Sequence, residues 1–309
     1  MSQQPQPRLR YLNAEVLERI GPLQLVARQV VEGLRVGMHR SPLRGFSTEF
    51  AHHRPYAAGD ATRHVDWRVY GRTERYYVKL YEAETNFDVY LLLDASSSMR
   101  YGSTKLTKLE YAKYLAASIA WLVIQQRDSV GLGVFDSRLR SFVPPSSTAG
   151  VMGTIEQRLL EVQPEPRTDV AGLLHEFAQR IKRRSFIVVF SDLFGRMEDI
   201  AQGLDHLAFD GHNVAVFHTL DPHELDLPFT GTCRFVGLEH EPEITTQPRR
   251  IREAYKREVA SFTAQVRQAC EANHADYVLV DTGRPMVAVL TEWLLRRSQF
   301  SGAGTRQER

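Results

Sequence analysis

From residue 87 onward the chain repeats one pattern, in which a short apolar run is followed by a stretch of helical periodicity and then by another apolar run. The runs at 87–94, 129–135, 186–191, 214–219 and 277–281 are rich in Val, Leu and Phe. Apolar residues fill nearly every position of these runs, as strands buried on both faces require. Between the first two, Leu106, Leu109, Ala112, Leu115, Ala116, Ile119 and Leu122 line one face of a long helix. Helical patterns follow at 151–161, 170–182, 197–208, 251–272 and 286–297. Strands that alternate with helices pair in parallel, because each crossover returns the chain to the same end of the sheet. The expected fold is therefore α/β, a doubly wound, mostly parallel sheet with helices on both faces. Shorter runs at 139–143 and 233–238 are candidates for further strands.

The remainder of the chain divides by composition. Residues 1–13 and 298–309 are polar, and disorder is expected there. Residues 14–86 read as an N-terminal helical and irregular β segment packed on the main domain, which spans 87–297. Within it 14–34 is helical in pattern, and Pro22 after Gly21 starts a second helix. Strand periodicity appears only at 76–81. Asp60, Arg63, Asp66 and Arg68 alternate in charge and are expected to tie the segment to the sheet by ion pairs.

Several function classes are set aside by the totals. With 43% hydrophobic and 25% charged residues among 309, the chain has the composition of a soluble globular protein. A net charge of +2, with acids and bases interspersed, offers no basic face for nucleic acid. The two cysteines, Cys233 and Cys270, lack CxxC spacing and suggest a reducing compartment. The opening MSQQPQPRLRYLN has no apolar core of a signal peptide, and no apolar stretch approaches the roughly 20 residues of a bilayer span. A cytoplasmic protein with no direct membrane insertion is expected.

In an open α/β sheet ligands bind beyond the carboxyl ends of the strands, so the polar residues there carry the functional argument. The first strand ends in Asp94, Ser96 and Ser98; the loop before the helix at 170 carries Thr168 and Asp169; the strand at 186–190 ends in Ser191 and Asp192. Asp94, Ser96, Ser98, Thr168 and Asp192 are all hard oxygen donors, a set that suits Mg²⁺, with Mn²⁺ as a substitute. Two carboxylates leave such an ion able to take an anionic oxygen from outside, such as a partner's carboxylate. That is binding chemistry, and no enzyme activity is expected. Taken singly, each hydroxyl also fits a helix N-cap.

The order and spacing D-x-S-x-S-M at Asp94–Met99, then RTDV at 167–170 and SDLF at 191–194, resemble the metal-ion-dependent adhesion site of von Willebrand factor A domains. The flanks RPYAAGDATRHVDW at 54–67, DPHE at 221–224, IREAY at 251–255 and YVLVDT at 277–282 resemble the bacterial family catalogued as domain of unknown function 58. The resemblance implies a von Willebrand factor A-like fold with Ser96 and Ser98 as direct ligands, Thr168 as a direct ligand in one state, and Asp94 and Asp192 acting mostly through waters. It also implies work beside a MoxR-type AAA+ ATPase, as an adaptor or assembly factor that binds a protein partner through an acidic residue.

The competing enzyme reading is a metal-dependent phosphohydrolase with Asp94 as nucleophile. That chemistry wants a second carboxylate two residues on as general acid and base, where this chain has Ser96. A serine hydrolase lacks its G-x-S-x-G setting, and His52, His53, His64, His212, His218 and His223 form no metal-binding pair.

Overall fold

The computed structural model describes residues 50–55, 69, 71–72, 76–81, 88–164, 170–181, 183–238 and 242–303. The helical pattern at 14–34, the charged residues Asp60, Arg63, Asp66 and Arg68, and Thr168 lie outside the described residues. Near the start, β1 (Phe50–Pro55) and β2 (Tyr77–Tyr81) pair antiparallel as a separate ribbon.

Among the described residues the main sheet has six strands. These are β3 (Asp88–Asp94), β4 (Ser129–Phe135), β5 (Leu139–Ser146), β6 (Ser185–Ser191), β7 (Asn213–Leu220) and β10 (Asp276–Asp281). Their spatial order is β10-β7-β6-β3-β4-β5, and every pairing is parallel except that of β5 with β4. The run at 139–143 is thus an edge strand, longer than its apolar part because Pro144 and Pro145 extend it past a bulge. The run at 233–238 contributes only β8 (Cys233–Phe235), which pairs with β9 (Ile244–Thr246) outside the main sheet.

Among the described residues from 88 onward the α-helices are α1 (Lys108–Gln125), α2 (Ala149–Glu161), α3 (Val170–Arg180), α4 (Met197–Phe209), the short α5 (Pro222–Asp226), α6 (Pro248–Ala272) and α7 (Met286–Ala303). The last continues past position 297, where the sequence pattern ends.

Strand β3 explains the architecture. Its side chains alternate between faces, yet Leu91, Leu92 and Leu93 are all fully buried. Val89, Leu91 and Leu93 join a core with α1, α2 and α7, while Tyr90 and Leu92 join a second core with α3, α4 and α6. Each fully buried Leu contributes about 1.5–3 kcal/mol by leaving water. A strand apolar on both faces needs helices on both sides of the sheet, and the two cores supply them.

Candidate metal centre

From β3 the chain steps to β4 and β5 on one side, then returns to β6 on the other. Strand order reverses there, and the crevice beyond the carboxyl ends of β3 and β6 is where such sheets take ligands. Asp94 closes β3, and Asp192 directly follows β6.

The loop after β3 is held from below and from both ends. The Ala95 amide donates to the Phe135 carbonyl at 2.7 Å, continuing the ladder with β4. Ser98–Arg100 form a 3-10 turn whose Met99 is fully buried in the core shared with α1, which gives the methionine of the motif a packing role. The loop then folds back so that the Lys108 amide donates to the Tyr101 carbonyl at 2.8 Å. Gly102 permits that return, since a Cβ on it would stand 2.7 Å from the Thr107 Cα. Thr107 caps α1 in a reciprocal box with Glu110. The cap of α1 is therefore Thr107, not a serine of the DASSSM stretch.

The Ser96 amide donates to Asp94 Oδ1 at 2.9 Å, and the Ser191 hydroxyl donates to Asp94 Oδ2 at 2.6 Å. The Ser96 and Ser98 hydroxyls lie 3.0 Å apart. Asp94, Ser96 and Asp192 are buried, whereas Ser98 is partly open. Burial, and next the negative charge of Asp192, push the Asp94 carboxyl up to about 7, against the lowering effect of the bonds from Ser191 and Ser96. A positive charge near this carboxylate would reverse that penalty.

Asp192 is placed by a tight loop. Its neighbour Leu193 has a φ of 52°, the left-handed region that costs a branched residue about 1 kcal/mol or more. In that conformation the Leu193 amide donates to the Ser191 hydroxyl at 2.9 Å and the Phe194 amide reaches Asp192 Oδ1 at 3.4 Å. Asp192 Oδ2 accepts from the Lys108 ammonium at 2.8 Å. The same ammonium donates to Glu224 Oε1 at 2.6 Å. Burial works to lower the Lys108 pKa, but Asp192 and Glu224 outweigh it and hold it above the ordinary lysine value.

Beneath the loop, His218 Nε2 donates to the Asp192 carbonyl at 2.9 Å. A carbonyl only accepts, so Nε2 carries the proton; burial holds the ring neutral, with its pKa lowered to about 4. Nδ1 is then the acceptor for the Tyr277 hydroxyl at 2.9 Å.

The structure thus brings Asp94, Ser96, Ser98 and Asp192 to one crevice, while Thr168 lies outside the described residues. Among the described residues no group of three His, Cys, Asp or Glu side chains is placed to hold a metal ion. The cluster is two carboxylates and two hydroxyls, a donor set that fits Mg²⁺ better than a softer ion. Sequence reasoning gave Ser191, Lys108, Glu224 and His218 no part in the site. One signal for Lys108 was available: a lysine in the first turn of a helix opposes the macrodipole and calls for a compensating carboxylate.

Comparison with known proteins places the chain. A model of the family described as protein of unknown function DUF58 matches residues 52–265. The chain belongs to that family. This DUF58 protein is 24% identical over 287 residues to uncharacterized proteins of Mycobacterium bovis and Mycobacterium tuberculosis, covering 91% of this chain and 90% of theirs. Among solved structures it is similar to the conserved hypothetical protein BatB of Bacteroides thetaiotaomicron, at 18% identity and a TM-score of 0.48, over 69% of this chain and 99% of that one. It is also similar to an aerotolerance-related membrane protein of Bacteroides fragilis, at 18% identity and a TM-score of 0.47, over 69% and 98%. In the DUF58 protein described here, no helix among the described residues is long and apolar enough to cross a membrane.

Proposed function

We propose that this protein is a divalent-metal-dependent protein-interaction module of the von Willebrand factor A type. It would act in the cytoplasm as an adaptor or assembly factor beside a MoxR-type AAA+ ATPase. The observation that carries the reading is the convergence of Asp94, Ser96, Ser98 and Asp192 at the switch point of the sheet, with both carboxylates buried. Ser96 and Ser98 are the residues that would hold Mg²⁺ directly, with Thr168 as the further hydroxyl the resemblance implies. Asp94 and Asp192 supply negative charge from behind them. The ion, when bound, supplies a hard positive charge for an anionic oxygen. That oxygen would come from an acidic side chain of the partner.

The alternative, a phosphohydrolase with Asp94 as nucleophile, fits the cluster less well. Both Asp94 oxygens already accept hydrogen bonds, from the Ser96 amide and the Ser191 hydroxyl. Where that chemistry needs a second carboxyl as general acid, this chain has the Ser96 hydroxyl.

Calorimetric titration with Mg²⁺ or Mn²⁺ tests the site. Saturable binding by the wild type, lost in Asp94→Ala, is the expected result; equal binding by both proteins would remove the site from consideration. For the partner, retention of the neighbouring ATPase on immobilised protein should be lost in EDTA and restored by excess Mg²⁺. Steady phosphatase turnover that disappears in Asp94→Asn would favour the enzyme instead.

A further inference from the structure

The ribbon of β8 and β9 stands apart from the main sheet and leaves apolar side chains uncovered. Each strand is three residues long, and no third strand joins them among the described residues. Two strands alone are marginal in water, and further strands are what give a small sheet its stability. Phe235 anchors β8 by meeting the Phe229 ring edge-on at 5.6 Å. Its cross-strand partner Ile244 lies on the same face, yet it is 58% exposed. Val236, Leu238 and Ile251 are exposed close by in the chain, and apolar side chains gathered in this way mark a contact surface.

The residues around β9 identify the occupant. The stretch PEITTQP at 242–248 is symmetric about Thr245, with a proline at either end and a β-branched residue on each side of the centre. Between the prolines the free margin of β9 carries neither lysine nor proline, the residues that commonly block strand addition. The flanks carry opposite charge. Glu243 precedes the strand, and Arg249 and Arg250 follow it in the first turn of α6, all three exposed. Among the described residues Glu243 meets only Arg234, at 3.8 Å between exposed groups, a contact worth little. Arg249 and Arg250 have no ion-pair partner among the described residues.

We propose that β9 pairs with β9 of a second copy of this chain, antiparallel about a two-fold axis at Thr245, so that the two ribbons join into one four-stranded sheet. In a two-fold contact each residue meets its counterpart's partner reciprocally. Ile244 then stands opposite the partner's Thr246 and diagonal to the partner's Ile244, on the face that carries Phe235. Glu243 stands opposite the partner's Gln247, beside the start of the partner's α6. There its carboxylate meets the charges of the partner's Arg249 and the partner's Arg250 together with the positive end of the helix dipole. Pro242 and Pro248 lack amide hydrogens and end the pairing on both sides, so the contact closes as a dimer and does not propagate. A contact confined to residues 243–247 and the side chains around them is small, and the dimer is accordingly weak and dependent on concentration.

Sedimentation velocity of the full chain at rising concentration tests the pairing, at low salt and in about 0.5 M NaCl. The wild type moves from monomer toward dimer, and salt weakens the association. Ile244→Lys sets like charges diagonal to each other and stays monomeric over the same range. Glu243→Arg, and separately the double variant Arg249→Glu/Arg250→Glu, each self-associate at least about tenfold more weakly than the wild type. Mixed in equal amounts, these two recover the association, because each carries the charge that the other has lost. All the substituted positions are exposed, and recovery in the mixture shows directly that both variants are folded. A wild type that stays monomeric to about 1 mM leaves the ribbon to a strand of some other protein and overturns the proposal. So does a dimer that survives Ile244→Lys, or a mixture that associates no better than its components.

Discussion

The Ser191 hydroxyl donates to Asp94 Oδ2 at 2.6 Å across the ends of two neighbouring parallel strands, β6 and β3. The bond joins the two halves of the candidate site before any ion arrives, and it is one of the forces that keep Asp94 from rising further in pKa. Ser191→Ala leaves a buried carboxyl oxygen without its donor, at a cost of about 1–3 kcal/mol. Urea denaturation of wild type and variant at neutral pH checks this, and a midpoint unchanged within error would show the bond to be dispensable.

Binding of an ion to the folded state alone must raise stability. At a free Mg²⁺ concentration a hundredfold above Kd the linkage amounts to about 2.7 kcal/mol. The melting temperature should therefore climb with Mg²⁺, return to its starting value in EDTA, and be insensitive to Mg²⁺ in Asp94→Ala. A wild-type melting temperature indifferent to Mg²⁺ and Mn²⁺ counts against the site.

Asp221 ties the loop after β3 to α5. Its carboxylate accepts the Ser103 amide and hydroxyl, the His223 amide and, at 3.3 Å, the Thr282 hydroxyl. Burial alone would raise its pKa, but these bonds bring it below the ordinary aspartate value. A depressed folded-state pKa gives stability that is present above about pH 4 and lost as pH falls through the folded value. Asp221→Asn turns an amide N–H toward one of the donors and should cost about 2–3 kcal/mol at pH 7. The deficit should shrink in acid, which chemical denaturation at pH 7 and pH 3 would reveal.

Asp128 has the opposite sign. It is buried in the turn before β4, and burial raises its carboxyl to about 6. Its contribution is most favourable below the unfolded value near 4 and is lost as pH rises through about 6. Asp128→Asn should accordingly stabilise the protein at pH 7 by about 1–3 kcal/mol and do nothing at pH 3.5. A variant equally destabilised at both pH values would mean that the carboxylate has a structural partner after all.

How far the sequence could be read depended on whether the determining contact was local. Leu91, Leu92 and Leu93 announce a strand buried on both faces wherever they sit, and the same holds for 186–190 and 214–217. Asp94, Ser96, Ser98 and Asp192 were legible because strand ends are local features, and the topology then brings those ends together. At Lys108 the sequence offered only a cation misplaced in the first turn of a helix, because its partners Asp192 and Glu224 are 84 and 116 positions away. His218 was read among scattered histidines, and only the pairing of β6 with β7 carries it beneath Asp192. The bulge of β5 was hidden for a related reason: an edge strand is less uniformly apolar, and its length is set by the register against β4.

The two prolines of that edge have a consequence for how anything can bind. Pro144 and Pro145 carry no amide hydrogens, so the outer margin of β5 cannot serve as a continuous template for another chain's backbone. A guest strand zipping along this margin would run out of donors just past Val143. Edge-to-edge sheet growth on this flank is thereby confined to the stretch before Pro144, and an associating protein that reaches past it must engage side chains.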